Sequence, residues 1–270
     1  MTSENMQKMR AMINGHELNN PPLEKTAICE KHGDYTQKCF YLDWTGCDSC
    51  LTERDEELRI QAERRKKEDE SIRWAAKLKE SGMPERFASQ SLSTYFVDKQ
   101  NANQVRIYEF CCDYAANFSE IKKTGRSFLM LGKVGTGKTH LSVGIALQIM
   151  RNGHSAVFTS ASKMLRAIKD TYRKDSDYSE SDVIKKYTSC GLLIVDEVGV
   201  QRGSEYEKDM LFDVINERYE SIKPTIILSN LAIDEVKQFL GERVFDRLRE
   251  NGGKAFLFDW QSMRGQKNDN

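Results

Sequence analysis

Eight residues, Gly132-Lys133-Val134-Gly135-Thr136-Gly137-Lys138-Thr139, fit the phosphate-binding pattern G-x-x-x-x-G-K-[ST], and the runs on either side of them suit it. Ser127 to Leu131 is apolar and strand-like, while His140 to Asn152 reads as a helix. The chain is thereby constrained to a buried strand, a glycine-rich turn and a helix whose N-terminus faces phosphates. The pattern predicts a nucleoside triphosphate cradled by Gly132 through Thr139 with His140 opening the helix. Lys138 is expected to reach the β- and γ-phosphates, and the Thr139 hydroxyl to ligate Mg²⁺.

A second run, Leu192-Leu193-Ile194-Val195-Asp196-Glu197, ends an apolar strand in two carboxylates, at the edge where open α/β sheets bind ligands. Asp196 is expected to hold Mg²⁺ through its water shell and Glu197 to polarise the attacking water. Thr225-Ile226-Ile227-Leu228-Ser229-Asn230 repeats the design with a polar end. For Asn230 two readings stand: a group that orients water or senses the γ-phosphate, and a helix N-cap.

From Pro84 onward, helical and strand-like segments alternate, which predicts an α/β fold with a parallel sheet covered by helices on both faces. Expected helices include 102–122, 162–172, 181–188, 208–222 and 243–250. At 270 residues the chain has room for one large domain and a small appendage. The expected division is 1–52 for a small N-terminal module, 53–83 for a charged helical linker, and 84–270 for the nucleotide-binding domain. Residues 1 to about 28 read as a helical or mobile arm. With 41 basic against 41 acidic residues, no global polyanion signal exists, so any nucleic-acid surface is local. Neither a secretory leader nor an apolar run of membrane-spanning length is evident, and the expected location is cytoplasmic, with no membrane partner.

Seven cysteines, two of them adjacent, argue against a disulfide framework. Cys29-x-x-His32 and Cys47-x-x-Cys50 instead have the paired-knuckle spacing of a tetrahedral structural Zn²⁺ site, with Cys39 as a rival ligand. Metal binding would supply folding energy that so short a segment lacks.

Between the second and third strands of the α/β region, Lys163, Arg166, Lys169, Tyr172, Arg173 and Lys174 fall at helix spacing. Lys169, Tyr172 and Arg173 suit single-stranded DNA, with bases stacking on the ring and phosphates meeting the cations. A solvated amphipathic helix with Met164, Leu165 and Ile168 in the core is the other reading. Ser204 and Tyr206, in the loop after Asp196-Glu197, are further candidate contacts.

The order of these motifs, together with Asp196-Glu197-Val198-Gly199-Val200-Gln201, Gly241-Glu242-Arg243-Val244-Phe245-Asp246-Arg247 and Asp259-Trp260-Gln261-Ser262-Met263-Arg264, resembles the AAA+ ATPases of the bacterial and phage DnaC-type helicase loaders. The match spans about residues 82–264. This resemblance implies an AAA+ P-loop NTPase without a lid domain, which hydrolyses ATP and places a replicative DnaB-type helicase on single-stranded DNA. It implies self-association into a spiral oligomer, with Arg247 acting on ATP held by a neighbour and Arg243 one helical turn away. Arg264 would be a second sensor. IstB-type transposition ATPases share the nucleotide motifs and supply the alternative enzyme reading. A nucleotide-gated adaptor with little hydrolysis is the alternative from another class.

Overall fold

Leu192-Leu193-Ile194-Val195 shows no polar alternation because both of its faces are covered. In the computed structural model, which describes residues 22–40, 43–173, 175–199 and 205–263, Leu192 and Ile194 enter one apolar core and Leu193 and Val195 another. Phe128 and Met130 against Leu129 and Leu131 divide the same way. A sheet with helices on both sides requires this pattern.

The described residues fall into two compact units, within 1–73 and 74–270. In the first, β1 (Leu23–Cys29) and β2 (Gly33–Phe40) form an antiparallel hairpin, and β3 (Asp43–Trp44) pairs with the end of β2. Helix α1 (Asp48–Glu80) begins in this unit and its last residues, from Trp74, belong to the second; none of its residues is buried. Of the arm expected over residues 1 to about 28, residues 1–21 lie outside the described residues, and Leu23 to Ile28 are corrected to strand. Both faces of this ladder are largely open, so Glu24, Lys25 and Thr26 carry no apolar alternation to announce it.

The second unit holds a five-stranded, all-parallel sheet in the order β5-β6-β7-β4-β8. Its strands are β4 (Phe128–Gly132), β5 (Ala156–Ser160), β6 (Leu192–Asp196), β7 (Thr225–Ser229) and β8 (Lys254–Phe258). Helices α2 (Ala102–Ala116), α3 (Phe118–Thr124) and α4 (Lys138–Arg151) supply core residues to one face. Helices α5 (Ala161–Asp170), α6 (Glu180–Ser189), α7 (Glu205–Glu220), α8 (Ile233–Leu240) and α9 (Glu242–Arg247) supply the other. No helix among the described residues is long and apolar enough to cross a membrane.

Two helix expectations need correction. The single helix over 102–122 is broken at Asn117, whose side-chain amide donates to the Asp113 carbonyl at 3.0 Å and ends α2. The last helix stops at Arg247 rather than reaching Glu250, and Asn251 takes φ +55° in the turn that follows.

Arg218, fully buried on α7, has no carboxylate partner among the described residues. Its guanidinium donates to the carbonyls of Tyr187 (2.8 Å), Cys190 (2.9 Å) and Pro224 (2.7 Å) and to Thr225 Oγ1 (3.0 Å). The cation thus sits among the last carbonyls of α6, where the helix dipole favours positive charge, and ties that end to the starts of β6 and β7.

Candidate functional site

The topology brings the ends of β4, β6 and β7 to one edge, with β7 lying between the other two. At the phosphate loop, Gly137 takes φ +94°, and a Cβ there would strike the Tyr95 ring. Gly137 is the N-cap of α4 and brings no side-chain cap, so the first helical N–H groups stay open toward an anion. The ammonium of Lys138, itself buried, donates to the carbonyls of Gly132 and Lys133, each at 2.7 Å. It therefore lies folded over the loop that would take the phosphates.

Thr139 Oγ1 donates to Asp196 Oδ2 at 2.9 Å, joining residues 57 positions apart. Asp196 Oδ1 accepts the backbone N–H of Glu197 at 2.7 Å. Glu197 is exposed and holds φ +59°, a conformation that costs a non-glycine residue about 1 kcal/mol or more. Its neighbour enforces this. Val198 N donates to the Leu228 carbonyl at 3.0 Å, while the Val198 carbonyl accepts Ser229 Oγ at 2.6 Å. Asn230 is exposed at the end of β7 and does not cap α8, whose N-cap is Ala232. The cap reading of Asn230 is thereby corrected.

His140 turns its ring away from the loop: Nε2 lies 3.0 Å from the Ser91 carbonyl and 3.2 Å from Thr94 Oγ1. Arg243 is exposed on α9, whereas Arg247 is half-buried with its guanidinium 4.7 Å from the centre of the Tyr219 ring. Arg247 Nη1 is buried without an acceptor. The nearby carboxylates are engaged elsewhere, Glu242 with Lys237 at 2.9 Å and Glu250 with the Tyr219 hydroxyl at 2.6 Å.

The cysteine and histidine knuckles converge. One donor atom from each of Cys29, His32, Cys47 and Cys50 lies within 4.8 Å of the others. His32 Nδ1 is 3.6 Å from Cys29 Sγ, 3.6 Å from Cys47 Sγ and 3.3 Å from Cys50 Sγ, and the Cys29 and Cys50 sulfurs are 3.5 Å apart. Tetrahedral bonds of about 2.3 Å to sulfur and about 2.0 Å to nitrogen would separate ligand atoms by roughly 3.5–3.8 Å, so the donor set is compatible with zinc. The first knuckle is the β1–β2 turn and the second opens α1. Backbone N–H groups of Lys31 and then His32 point at Cys29 and lower its thiol, while contact with Cys29 raises that of Cys50, so the two neighbouring sulfurs share a proton between them. His32 Nε2 meets Glu53 Oε1 at 3.1 Å, an outer carboxylate that fixes the ring. Cys39 stands outside this group, on β2 opposite Trp44. The rival-ligand reading is thereby corrected.

On α5, Met164, Leu165 and Ile168 are buried while Lys163, Arg166 and Lys169 are exposed. Tyr172 and Arg173, just beyond the helix, are also exposed, and the Tyr172 hydroxyl meets that of Tyr206 on α7. Two aromatic candidates 34 residues apart thus share one surface. Lys174, Ser204 and Arg264 lie outside the described residues.

Sequence reasoning missed Tyr95, Gln104, Glu53 and Arg218, each of which acts through a partner outside its own element. The only available signal was polarity beside apolar neighbours.

A parallel sheet with a phosphate loop at the C-terminal end of a central strand defines a P-loop nucleotide-binding protein. Residues 55–251 match the family of IstB-like ATP binding proteins, and the chain belongs to that family. The replicative helicase loader DnaC of Buchnera aphidicola subsp. Baizongia pistaciae is 30% identical over 217 residues, covering 80% of this chain and 86% of that protein. DnaC of Escherichia coli K12 is 36% identical over 140 residues, covering 52% of this chain and 57% of that protein. A crystal structure of the DnaC helicase loader superposes with a TM-score of 0.57 at 23% identity, over 64% of this chain and 99% of that one. The fold is accordingly that of the AAA+ ATPases.

Proposed function

We propose that this chain is an ATP-driven loader of a replicative DnaB-type helicase, acting in the cytoplasm and passing the helicase to single-stranded DNA. The observation that carries the reading is the joined pair Thr139–Asp196 beside a strained Glu197, set at the end of the sheet where the phosphate loop lies. The name shared by its DnaC relatives supports the helicase as partner.

In this reading the N–H groups of the loop and the Lys138 ammonium bind the phosphates, Lys138 leaving the carbonyls of Gly132 and Lys133. Thr139 and Asp196 hold Mg²⁺, which when bound neutralises charge developing on the phosphates. Glu197 orients the attacking water, and Asn230 contacts the γ-phosphate or that water. Arg247 acts on ATP held by a neighbouring subunit in a spiral oligomer, with Arg243 beside it. Its orphaned Nη1 supports that role, since a buried guanidinium nitrogen lacking an acceptor costs stability until one arrives. Lys169, Tyr172, Arg173, Ser204 and Tyr206 contact DNA. Residues 1–52 form the partner-binding module, 53–83 the linker and 84–270 the ATPase.

The family description also fits an IstB-type transposition helper. Capture of partners from the lysate of the source cell, with ATP present, separates the two. Recovery of the replicative helicase is expected, and recovery of a transposase without helicase would replace the reading.

For the metal centre we propose Zn²⁺ on Cys29, His32, Cys47 and Cys50. One equivalent per chain is expected from elemental analysis of protein purified without chelator. Cys47→Ser should lose the metal and unfold the hairpin while ATP binding persists. Glu53→Gln should keep the stoichiometry but weaken zinc about 10- to 100-fold in a competition titration, because it frees the His32 ring. Wild-type protein free of zinc would refute the assignment.

A further inference from the structure

The carbonyl of Thr136 accepts two side-chain donors: the Tyr95 hydroxyl from the segment before α2 and the Trp260 indole N–H from the segment after β8, each at 3.1 Å. Thr136 is fully buried. The Tyr95 hydroxyl is itself fixed by buried Gln104, whose Nε2 donates to it at 3.2 Å and to the Phe96 carbonyl at 3.1 Å. Trp260 packs on Phe258 with ring centres 4.8 Å apart. Main-chain bonds run beside these contacts. Lys133 N donates to the Phe258 carbonyl and Met263 N to the Gly135 carbonyl, each at 2.9 Å. The tail after β8 lies so close that a Cβ on Gly135 would collide with Ser262.

We infer that Tyr95 and Trp260 are positioning residues for the phosphate loop, acting through the shared Thr136 carbonyl. The inference rests on the ATP-binding reading above and adds how the loop is kept in shape. A phosphate cradle works only if its N–H groups turn inward, and a peptide whose carbonyl is held outward fixes the N–H of the next residue, Gly137, on the opposite side. Glycines give the loop its turn and also its freedom. Two tethers on one carbonyl, from segments far apart in sequence, remove that freedom before the ligand arrives, so less ordering is left for binding to impose.

The shared acceptor makes a specific forecast. With either donor gone, the carbonyl keeps a partner, and MgATP affinity should fall only about threefold in Tyr95→Phe or Trp260→Phe. Both substitutions keep an aromatic ring. With both gone, a buried carbonyl is orphaned, and the loss should exceed the product of the single losses, reaching about 30-fold or more. The test is a calorimetric titration of the wild type and the three variants with MgATP. A second measurement, amide exchange of residues 133–138 in nucleotide-free protein, should show faster exchange in the double variant while β6 is unchanged. A double loss equal to the product of the singles, or wild-type affinity throughout, overturns the inference and leaves the ATP-binding reading intact. Wild-type protein that fails to bind MgATP overturns both.

Discussion

Glu197→Gln is expected to bind MgATP within about twofold of wild type while hydrolysing it at least about 100-fold more slowly, because the change removes a water-orienting charge and leaves the phosphate contacts in place. Lys138→Ala should instead lose MgATP binding, since it removes an ammonium that lies over the loop taking the phosphates. The φ of +59° at Glu197 gives a third variant that separates function from architecture. Glycine suffers no Cβ clash in that conformation, so Glu197→Gly should match or exceed wild-type stability in thermal melts while hydrolysis is lost. Hydrolysis at the wild-type rate in Glu197→Gln would remove this carboxylate from the mechanism.

Arg247→Ala should bind MgATP normally and hydrolyse it at least about 1000-fold more slowly, the scale seen for an arginine supplied to another subunit's phosphoryl group. The mixture is the informative sample. An Arg247→Ala chain keeps its phosphate loop and a Lys138→Ala chain keeps its arginine, so interfaces pairing the two should recover hydrolysis that each variant lacks alone. Recovery should require single-stranded DNA or helicase to gather the subunits, and should weaken as salt rises because phosphate contacts release counterions. If no mixing ratio restores activity while both chains stay folded, Arg247 serves its own chain, seated against Tyr219.

The parallel sheet and the nucleotide loop were legible because their signals are local. Leu192 to Val195 and Thr225 to Ser229 are short apolar runs with sharp ends, and both lie in strands. The metal cluster was legible for the same reason, since knuckle spacing is a property of neighbours in sequence. The hairpin that carries it was not, because Leu23 and Ile28 are exposed and its strands bury little. The tethers of Thr136 were also hidden. Tyr95 and Trp260 stand 41 and 124 residues from the carbonyl they share, and nothing in a linear reading distinguishes a buried hydroxyl or indole with a polar partner from an ordinary core aromatic.

The central claim, that ATP on this chain governs delivery of a helicase, is tested most directly by transfer. Purified chain, the replicative helicase of the same cell and circular single-stranded DNA are combined, and helicase retained on the circles is counted. Loading should rise severalfold with the wild-type chain and ATP, and should fall to the helicase-only level with Lys138→Ala. Equal loading by wild type and Lys138→Ala, or no complex between chain and helicase at micromolar concentrations, would contradict it.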